Sequence, residues 1–337
     1  MYFIERWHSD AFSNRQIANK IYEDLKKKLK IIPHNFNGWR PLPNQKLETI
    51  LINENGLRNK SIKDLKKTKN CLLLGGSLAW GFGASSNKNI PSYQIEKILE
   101  RDYNINLNII NLAEQSYTSI EELNSFISSF YELNPSAVII LSGCNDIGFE
   151  FENNYKKIFL YEDLLNFFLW GKELGIIREK KKIYLLIKII FRLFKKNKTI
   201  NEEFFYFKRP HKDEIANNMY GSKIDFIKNF CEQKKIQVFN FLQPDLFFKK
   251  NKSNFEKDYE KFEGEEKKEF IIKKYKFLEE KYFKIKNNTR YFKNYSLLNC
   301  FDEFKETIFF DRAHVADFGN SILARKISSF ISSNLEK

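Results

Sequence analysis

From residue 70 onward, short apolar runs alternate with amphipathic stretches. Cys71–Leu74 is an apolar run ending at Gly75-Gly76, which reads as a buried parallel strand followed by a tight turn. Pro91–Arg101 then spaces Ile95, Ile98 and Leu99 as one face of a helix. Leu107–Leu112 repeats the strand pattern, Ile120–Leu133 the helical one, and Ala137–Leu141 is a third strand stopping at Ser142-Gly143. After an interruption, Asp213–Gln233 reads as a helix and Val238–Leu242 as a fourth strand ending at Gln243-Pro244. Thr307–Phe310 leads to a turn at Asp311–His314 and a last helix reaching Ser332. Alternation of this kind predicts an α/β fold with a parallel sheet flanked by helices.

The stretches that break the rhythm define the organisation. Residues 1–69 are mixed and polar, with Pro33, Pro41 and Pro43 preventing a long helix. They are expected to be an extension packed on a core of residues 70–337. Residues 150–210 and 250–290 are expected to be helical insertions into that core. Ile183–Phe194 is strongly apolar with basic flanks and fits three placements: a helix on a membrane surface, a lid over an apolar substrate, or a helix against the core. Residues 250–290 mix Lys, Glu, Phe and Tyr with little Gly or Pro, the pattern of a solvated helical face.

Composition narrows the classes. An apolar fraction of 42% and an aromatic fraction of 16% over 337 residues suffice for a buried core and exclude global disorder. The formal charge of +14 invites a polyanionic partner, but the lysines are widely spread and no nucleic-acid signature accompanies them, so no nucleic acid is expected. The cysteines at 71, 144, 231 and 300 are far apart with no C-x-x-C, against disulfide staples or a zinc site and in favour of a reducing compartment. No cleavable signal pattern opens the chain and no apolar run approaches the roughly 20 residues of a membrane span. A soluble, cytoplasmic protein is expected, with peripheral membrane contact through 183–194 left open. No metal or cofactor is expected, because no His, Asp or Glu cluster has ligand spacing.

Candidate chemistry sits where the strands end, the place where open α/β sheets form ligand sites. Gly75-Gly76-Ser77 puts a hydroxyl at the end of the first strand, and the Ser77 N–H near a helix start can face an oxyanion. The block from Asn111 to Ser119 follows the second strand, and Gly143-Cys144-Asn145-Asp146 the third. The Asn145 amide there can donate to a tetrahedral oxyanion, as can an Asx turn end a strand with no further role. In Asp311-Arg312-Ala313-His314 the carboxylate can fold back onto Nδ1–H of the imidazole, leaving Nε2 to take a serine proton. Each segment alone is common. His8, His34 and His211 sit in no comparable arrangement and read as surface or packing residues.

Together, in type, order and context, the segments resemble the SGNH (GDSL-like) hydrolases from about residue 53 to the C-terminus, insertions apart. That family carries Gly-Asp-Ser, Gly-x-Asn-Asp and Asp-x-x-His, which appear here as Gly75-Gly76-Ser77, Gly143-Cys144-Asn145-Asp146 and Asp311-Arg312-Ala313-His314. The resemblance implies a three-layer α/β/α fold with a parallel sheet of about five strands. It implies Ser77 as nucleophile, His314 as general base and acid, and Asp311 as the orienting carboxylate. The oxyanion hole would then be Ser77 N–H, Ser116 N–H and the Asn145 amide. Asn55-Gly56-Leu57-Arg58 is similar to a stretch found upstream of the nucleophile in many relatives. Two positions depart: Gly76 replaces aspartate, and Ser116 stands where the family has a glycine that permits φ > 0 and close substrate approach.

The expected function is therefore a serine-dependent ester hydrolase acting on an O-acyl group through an acyl-enzyme at Ser77. A small acyl group on a carbohydrate or other small molecule is the preferred substrate. Alternatives are an O-acyltransferase using the same first half-reaction, a lipid or thioester hydrolase suggested by Ile183–Phe194, and an inactive binding protein on the same fold.

Overall fold

Five runs of the chain pair side by side into one parallel sheet, in the computed structural model, which describes residues 6–64, 69–151, 215–284 and 287–335. An antiparallel hairpin precedes them, β1 (Ile31–His34) with β2 (Gly38–Pro41). The sheet strands are β3 (Lys69–Gly75), β4 (Leu107–Asn111), β5 (Pro135–Ser142), β6 (Gln237–Leu242) and β7 (Phe292–Ser296), in the order β4-β3-β5-β6-β7. Every neighbour in the sheet runs parallel. The helices are α1 (Arg15–Glu23), α2 (Ser77–Trp80), α3 (Pro91–Tyr103), α4 (Ser119–Leu133), α5 (Cys144–Phe151), α6 (Ile215–Lys234), α7 (Asn254–Glu263), α8 (Glu265–Tyr282) and α9 (Asp317–Asn334). Residues 183–194 and His211 lie outside the described residues, as does nearly all of the first expected insertion.

Successive strand residues point to opposite faces, and the core divides accordingly. Cys71, Leu73, Ile139 and Leu141 face one layer with Ile95 and Leu99 of α3 and Ile322, Ile327 and Ile331 of α9. Leu72, Leu74, Val138 and Ile140 face the other, with Phe126 and Phe130 of α4, Tyr220 and Ile224 of α6, and Ile271 and Leu278 of α8. Helices on both faces of a parallel sheet make a three-layer α/β/α fold. Strands covered on both faces read as unbroken apolar runs. This explains why β3 and β5 were plain in the sequence and β7, whose Phe-Lys-Asn-Tyr-Ser alternates at the sheet edge, was not.

The mixed-charge stretch 250–290 is less solvated than its composition suggests. Ile271, Tyr275 and Leu278 of α8 are wholly buried. Glu256 of α7 is buried too; its carboxylate accepts from Lys249 Nζ (2.6 Å) and from the N–H groups of Ile308 (2.9 Å) and Phe309 (3.0 Å). The helix thus pins the chain just before Asp311. Its charge had to be buried because those backbone donors have no ladder partner.

Residues 6–64 contribute to the same core. Trp7, Phe12 and Ile21 join the α3/α9 layer. Asn14 caps α1 by accepting from Ile17 N–H (2.9 Å). Arg58, 1% exposed, donates to the carbonyls of Thr49 (2.9 Å), Gly81 (2.5 Å) and Ala84 (3.2 Å), and its guanidinium lies 4.6 Å from the Trp80 ring centre. It ties the cap carbonyl of the short helix α2, at Gly81, to the loops that carry Thr49 and Ala84.

Candidate active site

β3 delivers the chain into a sharp turn at Gly75-Gly76, and Ser77 opens α2 directly after it. The short helix stops at Gly81, whose φ of 89° a side chain would disfavour. Ser77 Oγ stands 2.6 Å from His314 Nε2. His314 Nδ1 lies 2.9 and 2.8 Å from the two oxygens of Asp311. Asp311 Oδ1 also accepts from the N–H groups of Ala313 (2.9 Å) and His314 (2.8 Å), so the carboxylate that faces the ring also shapes the turn carrying it. A carboxylate can only accept there, so Nδ1 carries the proton and Nε2 presents its lone pair to the serine hydroxyl.

Aromatic rings back the imidazole. The Phe82 ring centre is 4.5 Å from that of His314, and Phe310 lies 5.9 Å away at 19°. Trp7 packs behind both, 6.0 Å from Phe82 and 5.3 Å from Phe310, and Phe12 is 4.8 Å from Phe310. The bridges Phe309–Val315 and Gly83–Ala316 fasten the histidine loop on either side.

Asn145 is the second residue of α5, at the end of β5. Its Nδ2 donates to Tyr117 O at 2.7 Å, which ties the third block to the second. Asp146 strengthens the tie by accepting from Ser119 N–H (3.1 Å) and Oγ (2.9 Å) at the start of α4. Gly76 makes the arrangement possible: a Cβ there would lie 2.4 Å from Asn145 Nδ2. An aspartate here, as in the SGNH pattern, would meet the Asn145 amide and push it aside.

Ser116 is exposed at φ +62°. A side chain in that left-handed region costs roughly 1 kcal/mol, which glycine would avoid. The β1–β2 hairpin holds the strained loop from outside: Trp39 Nε1 donates to Gln115 O (3.1 Å) and Tyr117 Oη donates to Trp39 O (2.7 Å). Beneath it lies Glu114, buried, whose carboxyl is pushed up to about 8 by burial against the pull of Arg58 and Arg40. Arg58 itself is drawn down to about 9 by burial.

Ser77, His314 and Asp311 are thus brought into contact, with Asn145 against Gly76 and Ser116 one residue from the carbonyl that Asn145 binds. The remaining described histidines have other surroundings. His8 contacts Arg15 at 3.2 Å, and His34 is held down to about 4 by burial and Arg40. Phe82, Asp245 and the side chain of Arg312 carried no signal in the sequence, since a lone aromatic, acid or arginine in a loop is commonplace. Among the described residues no group of His, Cys, Asp and Glu is arranged to hold a metal, and no helix is long and apolar enough to cross a membrane.

No family model and no curated protein matches this sequence. Among solved structures, the chain is similar in fold to GDSL-type lipases and to esterases. One is a lipase from a goat rumen metagenome, 13% identical with a TM-score of 0.45, covering 79% of this chain and 98% of that one. Another is a putative GDSL-like lipase from Parabacteroides merdae, 12% identical with a TM-score of 0.43, covering 80% and 98%. A third is an acetylxylan esterase from Geobacillus stearothermophilus, 12% identical with a TM-score of 0.43, covering 80% and 95%. The likeness is one of chain path; at such identities it carries no residue role across.

Proposed function

We propose that the protein is a serine-dependent ester hydrolase that removes an O-acyl group through an acyl-enzyme at Ser77. The observation that carries this reading is the unbroken line from Ser77 Oγ to His314 Nε2 (2.6 Å) and from His314 Nδ1 to Asp311 (2.8 Å). In such a line the hydroxyl proton passes to Nε2 as Oγ attacks the acyl carbonyl, and the Asp311 carboxylate stabilises the imidazolium that forms. The carbonyl π pair moves onto oxygen, where the Ser77 and Ser116 N–H groups and the Asn145 amide are the donors within this neighbourhood. Collapse expels the alcohol, which takes the proton from Nε2. Water, deprotonated in its turn by Nε2, then releases the acid and restores Ser77.

An acetylated carbohydrate is the substrate to try first, with an acyl thioester as the contrast. The deciding experiment is fluorophosphonate labelling with mass mapping of the modified residue. An adduct on Ser77, lost in Ser77→Ala and His314→Ala, is expected. Absence of any adduct, with no turnover of p-nitrophenyl acetate, would leave a binding protein on this fold.

A further inference from the structure

Arg312 lies inside the Asp311–His314 turn, yet its side chain is aimed at other elements. Its guanidinium is 11% exposed and paired with Asp245, whose side chain is wholly buried in the loop after β6. One nitrogen, Nη1, donates to Asp245 Oδ2, and the other, Nη2, donates to Cys144 Sγ at 3.2 Å. Cys144 is the residue before Asn145 and the first of α5. The backbone adds a further tie, because Arg312 O accepts from Leu246 N–H at 2.9 Å. Asp245 is itself fixed, its Oδ1 accepting from Phe247 N–H at 3.1 Å.

A buried ion pair is a weak source of stability, since apolar residues of similar volume usually do as well. What a planar, forked cation supplies and an apolar pair does not is fixed direction to two partners at once. Here the two partners belong to different parts of the site. We infer that Arg312 is a positioning residue that holds the start of α5, and so Asn145, in register with the turn carrying His314. The oxyanion donor and the general base then keep one spacing through both half-reactions. The inference rests on the hydrolase reading above. Small errors of spacing are costly: about 1 Å of misplacement can lower a rate about 100-fold.

The test uses the full chain with p-nitrophenyl acetate and a fluorophosphonate probe. In Arg312→Met/Asp245→Leu the charges leave together, so the melting temperature should stay within a few degrees while kcat falls by about tenfold or more and KM holds. The rate of Ser77 labelling should fall in step. Added to Asn145→Ala, the double change should cost little further, because the donor it positions is already gone. Arg312→Lys keeps the charge and the Asp245 partner but cannot reach Cys144 as well; it should fold and show the same kcat loss. A folded double variant with wild-type kcat, an Arg312→Lys variant with wild-type kcat, or a loss fully additive with Asn145→Ala would each overturn the inference. A wild-type protein that takes no label on Ser77 would instead overturn the hydrolase reading.

Discussion

Gly76→Ala is the smallest change that tests the site. The residue has φ −91° and ψ −154°, extended backbone that alanine adopts without strain, so any effect must come from contact. The new Cβ would lie 2.4 Å from Asn145 Nδ2, 3.4 Å from its Cγ and 3.5 Å from Tyr117 O. The closest of these atoms is the tip of a side chain, so the backbone need not move; Asn145 turns away instead. Doing so, it gives up its 2.7 Å bond to Tyr117 O, worth about 1 kcal/mol, which the fold tolerates. On the proposed mechanism it also leaves the oxyanion position, and loss of one such donor lowers kcat by roughly 10²–10³. The assay is p-nitrophenyl acetate turnover with the melting temperature measured beside it. Gly76→Ala and Asn145→Ala should show similar falls in kcat, and the double variant little more than either. Gly76→Asp, which introduces the residue of the SGNH pattern, should be at least as damaging. Turnover by Gly76→Ala within about twofold of wild type, or additive losses in the double variant, would refute the reasoning.

Ser116→Gly should keep its activity, because the N–H is retained and relief of roughly 1 kcal/mol of left-handed strain offsets the added freedom of the unfolded chain; a large kcat loss would show that the hydroxyl itself takes part. Phe82→Leu removes the ring 4.5 Å from His314 and should lower kcat more than KM, whereas Phe82→Tyr should largely restore it; equal rates in all three would rule out a role for the ring in holding the imidazole. Glu114 is expected to make stability fall with pH. Its folded value of about 8 lies above the ordinary 4.5, so the folded state binds the extra proton and loses that advantage as pH rises between those values. Glu114→Gln should therefore gain in melting temperature over wild type more at pH 9 than at pH 5; parallel curves would contradict the burial argument.

The sheet was legible where its strands are covered on both faces. The runs at 71–74, 107–112, 137–141 and 238–242 lie within one or two residues of β3 to β6. β7 escaped because only Phe292 and Asn294 of its five residues are buried, so it carries no unbroken apolar run. Ser77, Asn145 and the Asp311–His314 pair stood out because their types, order and place at strand ends resemble the SGNH pattern, and the structure brings Ser77, His314 and Asp311 into contact. Their supports did not stand out. Phe82 touches His314 across 232 positions of sequence and Arg312 reaches Cys144 across 168, and no local pattern encodes a contact at that range. The burial of Glu256 within the largely solvated stretch 250–290 was not legible, since composition does not record the backbone donors that its carboxyl meets.

The strand order carries one more consequence. β4, β3 and β5 come from the first half of the chain, β6 and β7 from the second, and they meet along a single parallel seam, β5 against β6, from Ala137–Gln237 to Ser142–Leu242. Ser77 and Asn145 belong to one side of that seam, Asp311 and His314 to the other. The proposed reactive centre thus comes into being only when the halves zip together. Two separately produced pieces, 1–152 and 216–337, should each be inert towards an ester and should regain turnover on mixing, in proportion to the heterodimer they form.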